Sequence, residues 1–446
     1  MKNIYVLFFF LICGFASGQI VNIPDANFKN ALLNELVADF NGDGFPDSHA
    51  DINNDGEIQI SEAEAVLGLS VFSRSISSLE GLQNFINLKF LFCELNNIST
   101  INLAECQDLI FLQCYSNNII NLDLSQNPEL QFIWCDSNQL TNLDLSVNLN
   151  LEIIRAEQNN IANIILPQSS SLEEIHLRQN QLTTIDISQN PNLIELNCGE
   201  NLMPNIDVSQ NENLEFLAVG GNLLNNIDVS NNTNLESFYC NGNQLSNLNV
   251  SQNLELIHLS CHRNELTNLD LSNNLNLRSL NCYENKFVAL DLSENINLVS
   301  IESNSNPFLS YLNLKNGNNI NMYRMFAFDN SQLPCIMVDD ENATYPECFQ
   351  FSGWCKDETA IYSEDCQLTT KDFTTTDFKL FPNPAQNVLN IQSQEQIDSV
   401  RIFTLEGRLL LQTANPSIDI SQLKVGLYLV QIMAQGHTAT KIFLKN

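Results

Sequence analysis

Residues 130–150, LQFIWCDSNQLTNLDLSVNLN, are one turn of a repeat that runs without a slip through the middle of the chain. Eleven leucines, Leu88 to Leu298, stand 21 residues apart, and an asparagine follows each of them eight residues later, Asn96 through Asn306. A fixed period of roughly 20–29 residues marks a solenoid, in which a single repeat cannot bury its own apolar face and stacking builds the core. Leu130, Ile133 and Cys135 set an inward face against outward neighbours at period two, so each coil opens with a short strand. The ninth-place asparagine carries both a donor and an acceptor, which suits it to bond the backbone of neighbouring coils in a dry turn. Leu140, Leu143 and Leu145 bring the chain back, and LTNLDLSVN copies the spacing of LQFIWCDSN, so the unit is close to two nested half-repeats.

This unit resembles the leucine-rich repeat family, in its 21-residue bacterial class. The resemblance implies a mostly β solenoid with extended or tight helical turns on the convex side and ligands met on the concave strand face. Coils stacked at roughly 4.8 Å per strand predict an arc about 50 Å long.

The chain has 52 acidic and 19 basic residues, a formal net charge of −33 over 446 residues. Nucleic acid and anionic membrane are poor partners for such a surface, because phosphate binding draws on clustered Lys and Arg. Residues 1–18 have the pattern of a signal peptide: Lys2, the apolar run IYVLFFFLICGFA, then Ala16 and Gly18 before a cut at Gln19. A lipid-anchor reading of Cys13 lacks the small residue that such a site needs just before the cysteine, since Ile12 stands there. No other apolar run approaches the length of a membrane span, so no transmembrane helix is expected in the mature chain.

Export makes the 13 cysteines informative. Seven fill one apolar column of the repeat, Cys93, Cys114, Cys135, Cys198, Cys240, Cys261 and Cys282, where Ala156, Leu177 and Val219 stand in other coils. They are expected to pack as small apolar residues, with coil-to-coil disulfides or a metal ladder as the alternatives. Cys106 replaces an asparagine of the second half-repeat without an evident role. Four more, Cys335, Cys348, Cys355 and Cys366, cluster where the repeat ends, and four cysteines allow three pairings. Residues 333–366 resemble the terminal cap of secreted bacterial leucine-rich repeat proteins, in which a final strand is tied to a downstream cysteine. On that resemblance the favoured pairing is Cys335–Cys366 enclosing Cys348–Cys355.

At the front, IPDANFKNALLNEL places Phe28, Leu32 and Leu36 at helical spacing. The loop that follows holds two copies of D-x-N-x-D-G. In DINNDGEIQISE, Asp51, Asn53 and Asp55 take places 1, 3 and 5, Gly56 the turn at 6, Ile58 the apolar place 8 and Glu62 the bidentate place 12. This resembles an EF-hand calcium loop, whose seventh-place ligand would be the carbonyl of Glu57. The first copy, DFNGDGFPDSHAD, offers Asp39, Asn41, Asp43 and Asp47 but has Ala50 where the bidentate acid belongs. It is more similar to the aspartate-rich calcium repeats of thrombospondin-type proteins, with Asp51 available to both loops. The expected cofactor is structural calcium; the plain alternative is a metal-free loop of Asx turns.

From Leu380 the pattern is alternating strand, LFPNPAQNVLNIQS, VRIFTLEGRLLLQ, IDISQLKVGLYLVQI and GHTATKIFLKN, broken by Gly407, Gly426 and Gly436. With Pro382, Asn383 and Pro384 at entry, Gly426 and Tyr428 before the penultimate strand and Lys441 near the end, it resembles the type IX secretion sorting domain. That resemblance implies dealings with the type IX secretion machinery, passage across the outer membrane, removal of the tail, and surface anchoring or release. The threonine-rich stretch before it reads as a linker.

The outward columns of the first half-repeat carry aromatics: Phe90, Phe111, Phe132 and Phe216 in one, Phe92, Trp134 and Tyr239 in the next, Tyr115 and Tyr283 in a third. Large apolar groups crowding the first three coils of a solvent-facing sheet signal a partner. Arg155, His176 and Arg178 lie beside them and are suited to a carboxylate or sulfate on a ligand. The alternatives are a front cap folded over the rings, or strand propensity alone. On the opposite strand Asp123, Asp144, Asp186, Asp207, Asp228, Asp270 and Asp291 form a column expected to bond its own turns. His258 and His262 imitate a zinc motif, but without its glutamate and on a strand, and no nucleophile elbow or phosphate loop is present, so no enzyme is expected. The sequence therefore predicts a signal peptide (1–18), a helical calcium-loop cap (19–87), leucine-rich repeats (88–333), a disulfide-bonded cap (334–368), a linker (369–379) and a small β-sandwich sorting domain (380–446). It predicts an exported surface or secreted binder of an unknown protein or glycan, with a passive coat component as the alternative.

Overall fold

The computed structural model describes residues 18–349, 352–366, 378–393, 396–404, 408–434 and 437–446. The expected signal peptide before Gly18 and the expected linker up to Asp377 lie outside the described residues. The chain divides into two compact units, one reaching Glu364 and one beginning at Asp365.

In the first unit the opening strands of the coils join in one sheet. Among the described residues it has 15 strands, with Ala38–Asp39 antiparallel at the edge and all later neighbours parallel, from Gly68–Ser70 to Gly353–Lys356. Register is strict: Leu91, Leu112, Ile133, Ile154, Ile175 and Leu196 stand side by side and are all buried. The sheet starts one coil before Leu88 and continues past Leu298 with Ser300–Glu302, Arg324–Ala327 and Gly353–Lys356. The return half forms ladders only in places, Asn142–Asp144 with Asn163–Ile165, and Ala289–Asp291 through Ile361–Ser363.

Two amide ladders tie the coils together. Asn138 accepts from Ile119 N at 3.0 Å and donates to Cys114 O and Cys135 O at 3.0 and 3.1 Å, using both ends of its amide as the sequence predicts. The second ladder, Asn127, Asn148, Asn190 and onward, donates to the preceding coil, as Asn148 does to Asn127 O at 2.8 Å. Its acceptor ends stand unused: Oδ1 of Asn127, Asn148, Asn211, Asn232, Asn253, Asn274 and Asn295 is buried without a hydrogen-bond partner. A place that uses only a donor tolerates any short donor. Cys106 fills it with a thiol 3.6 Å from Phe85 O, the carbonyl 21 residues back that the asparagines also take, and Ser169 with a hydroxyl that turns to Leu149 O at 2.6 Å instead.

The column cysteines are buried and free, as expected of packing residues. Burial pushes the Cys198 and Cys261 thiols up to about 12, so neither forms a thiolate at neutral pH.

The ends are closed differently. A helix, Ala26–Asn34, is capped by Asp25, whose Oδ1 accepts from Asn27 N and Phe28 N while Oδ2 accepts from Ser77 N, so one carboxylate starts the helix and pins it to the first coil. Phe28 and Leu32 are buried; Leu36, placed on the same face by its spacing, lies past the helix end and is exposed. At the other end Trp354 is buried, stacked on Tyr345 at 3.9 Å and donating to Met322 O at 2.9 Å. Cys348 and Cys355 are bonded, and Cys335 and Cys366 are disulfide-bonded as well, in keeping with the favoured pairing.

The second unit has a three-stranded and a four-stranded antiparallel sheet, with side chains of both in one core that includes Leu389, Ile402, Val430 and Phe443. Its first strand, Lys379–Phe381, begins just inside the expected linker. Lys441 donates to Phe378 O at 2.7 Å and Tyr428 stacks on Phe443, so two of the marked residues serve this core.

Candidate ligand-binding face

The parallel sheet presents three outward columns on its concave side. Because neighbouring strands are in register, residues 21 apart lie side by side, and the aromatic columns become a cluster. Phe111 is the hub, 5.4 Å from Phe92, 5.6 Å from Phe132 and 5.1 Å from Trp134 between ring centroids. Arg155 lies over Trp134 at 5.0 Å. Phe90, Phe92, Phe111, Tyr115, Phe132 and Trp134 are all half-buried, and Phe92, Phe111, Phe132 and Trp134 pack on one another. The strands of the front cap, Ala38–Asp39 and Gly68–Ser70, extend the sheet at its edge, in line with the strands that carry these rings. Burial raises the carboxyl pKa of Glu94 and of Asp136, which flank Tyr115.

The cationic residues are less free than the sequence suggests. Arg155 Nη2 lies 3.6 Å from Glu174, His176 sits between Glu174 and Glu195, and Arg178 is paired with Glu200. The two arginines beside the rings are thus engaged by glutamates and do not stand ready for an anionic ligand.

Farther along, the face dips. Gly199 and Gly220 stand 21 residues apart in the column that holds Tyr115 and Arg178, and Gly221 and Gly242 do the same one place on. With no side chains there, a depression of about 520 Å³ opens between Phe216, Tyr239 and His262, with Arg178 and Arg263 also on its lining. A Cβ on Gly220 would meet the Asn241 amide at 2.6 Å, so the floor is filled by that amide instead. Desolvation, with Arg263 adding to it, lowers the His262 ring to about 4, so the ring is neutral at pH 7. The sequence signals this depression only through the absence of side chains, as a period-21 pair of glycine columns.

Of the front loop residues, Asp39, Asp51 and Glu62 are buried. Asp39 Oδ1 accepts from Asn41 N and Gly42 N and Oδ2 from Gly44 N. Asp43 accepts from Phe45 N, and Asp47 Oδ1 from the Ser48 hydroxyl. In the second loop Asp51 Oδ2 accepts from Gly56 N at 2.9 Å, Asn53 and Asp55 both bond the Gln59 amide, Glu57 pairs with Lys29, and Glu62 takes Ile52 N, Asn53 N and Gln59 N. The donor set is all oxygen, in the order a calcium loop needs, and Gly56 makes the turn at φ 86°. The loop acids do not converge as they stand, since among the described residues only Glu174, His176 and Glu195 bring three ligand atoms within 4.8 Å of one another. The donor types fit calcium; the Gln59 amide bridges two of them, Asn53 and Asp55. On the far strand the aspartate column bonds its own turns, as Asp186 does with Ser188 N at 3.0 Å, and those bonds lower the Asp186 carboxyl pKa.

Stacked 21-residue coils of this kind have the leucine-rich repeat solenoid fold. Residues 379–446 match the family model of the secretion system C-terminal sorting domain. That domain marks the chain for type IX secretion to the cell surface or extracellular space. Among solved structures, the fold resembles the functional domain of InlJ from Listeria monocytogenes, which includes a cysteine ladder, at 20% identity and TM-score 0.57, covering 96% of this chain and 98% of that one. It also resembles an internalin, InlF, from Listeria monocytogenes, at 17% identity and TM-score 0.56, covering 73% and 98%. A leucine-rich repeat protein from Leptospira interrogans matches at 20% identity and TM-score 0.53, covering 71% and 93%. No curated protein matches the sequence. Among the described residues no helix is long and apolar enough to cross a membrane.

Proposed function

We propose that this chain is an exported adhesion or capture protein that binds a protein or glycan ligand on its concave face, with Phe90, Phe92, Phe111, Tyr115, Phe132 and Trp134 as the apolar centre. The observation that carries this reading is the half-buried cluster of Phe92, Phe111, Phe132 and Trp134 on one face of a sheet whose edge the cap strands extend. Monomeric proteins seldom expose contiguous rings without a use for them, and aromatic anchors dominate interface energies. Arg155, His176 and Arg178, held by glutamates, form a polar rim that fixes orientation. The acidic surface disfavours nucleic acid. Asp39, Asn41, Asp43, Asp47, Asp51, Asn53, Asp55, the Glu57 carbonyl and Glu62 hold structural calcium once Gln59 yields, stiffening the cap behind the face.

The test is a glycan and protein array probed with the exported chain and with its Phe111→Ala form. A ligand retained by the native chain and lost, by about tenfold or more, from the variant is expected. Self-association in place of any ligand would support a passive coat component instead.

A further inference from the structure

We propose that Glu174, His176 and Glu195 form a site for one divalent transition-metal ion of the zinc class on the concave face. His176 Nε2 lies 3.4 Å from Glu174 Oε2 and 3.8 Å from Glu195 Oε2, and the three ligand atoms fall within 4.8 Å of one another. With metal–ligand bonds of about 2.1 Å, donors around a tetrahedral ion stand about 3.4 Å apart, so two of the three spacings need little adjustment.

The backbone explains why the group is preformed. Glu174 and Glu195 are register partners on adjacent parallel strands, and His176 follows two residues after Glu174 on the same face. All three thus rise from a stiff sheet, which places ligands better than a loop does. Side-chain exposures of 28%, 17% and 43% for Glu174, His176 and Glu195 leave the site open to an ion from solvent.

Charge points the same way. Carboxylates directly opposite on neighbouring strands repel. Arg155 reaches Glu174 but is also stacked over Trp134, and among the described residues Glu195 meets no cation other than the His176 ring. A divalent ion neutralises both carboxylates at once. The imidazole selects the ion: calcium and magnesium take oxygen, whereas one nitrogen and two carboxylate oxygens suit zinc, cobalt or nickel. Three protein ligands leave a fourth position for water or a ligand oxygen, as in open zinc sites.

The site shares His176 with the rim of the proposed face and nothing with the front loops, so its test reads metal uptake and not ligand binding. The untagged full chain is titrated with Zn²⁺ by calorimetry in excess Ca²⁺, and with Co²⁺ by visible absorption. Saturable uptake of one ion per chain is expected, with a cobalt d–d band. His176→Ala and Glu195→Gln should each weaken zinc at least tenfold and remove the band, while circular dichroism stays unchanged. Glu195→Gln keeps the size of a rim residue, so it serves if His176→Ala misfolds. No saturable uptake, or uptake equal in native and variant chains, overturns the site.

Discussion

At the level of single residues, the two asparagine ladders look alike in sequence and differ in chemistry. Asn243 uses its whole amide, accepting from Leu224 N at 3.0 Å and donating to Val219 O and Cys240 O at 3.0 Å. Asn253 donates to Asn232 O at 2.8 Å and leaves Oδ1 buried and unpaired. Orphaning a buried backbone group costs about 1–3 kcal/mol, whereas removing an already orphaned acceptor recovers part of its own cost. Asn253 also donates to Val229 O at 3.0 Å, and a serine keeps one of its two donors, so Asn243→Ser should lose about 2–4 kcal/mol in urea denaturation and Asn253→Ser about 1–2 kcal/mol. Equal losses would show that the second ladder does not act through its donor alone. The first ladder was readable from its unbroken asparagines; the second revealed its looser demand only through Cys106 and Ser169, whose shared hydrogen is visible once partners are known.

Among elements, the strands were legible because a period of two inside a period of 21 leaves one register. The ends were not. Asn330 holds the ladder place 24 residues after Asn306, and the strand Gly353–Lys356 follows at a different interval, so a count of equal spacings stops early although the sheet continues. Leu36 was misplaced because spacing says which face a residue shares but not where the helix ends. In the second front loop the ligand order was plain, while the Gln59 amide bonding Asn53 and Asp55 was not, since hydrogen bonds of a ninth-place side chain leave no periodic trace. If calcium displaces that amide, a hundredfold excess over its dissociation constant should stabilise the unit by about 2.7 kcal/mol. Melting in excess chelator should then fall by several degrees, and Glu62→Gln should abolish most of the difference; identical melts with calcium and chelator would leave the loop as Asx turns alone.

For the whole molecule, the arrangement is a division of labour. The sorting tail supplies the route out, the ladders a stiff curved sheet, and the outward columns are left free to vary, so a binding face can change without touching the core. The sequence placed the rings in the correct columns but not the glutamates that engage the neighbouring cations, because a partner one coil away is a matter of register and rotamer together. It also left open whether the rings serve the fold or a ligand. Trp134 separates these roles: it is half-buried, and its indole N–H is buried without a hydrogen-bond partner, a cost that a ring kept only for packing would avoid as phenylalanine. The most direct test is the folding stability of Trp134→Ala, with Ile133→Ala, its fully buried neighbour, as reference. A ligand face predicts a loss of about 1 kcal/mol for Trp134→Ala, against about 2–5 kcal/mol for Ile133→Ala. A loss of about 3–5 kcal/mol from Trp134→Ala itself would make the ring part of the core and contradict the binding face.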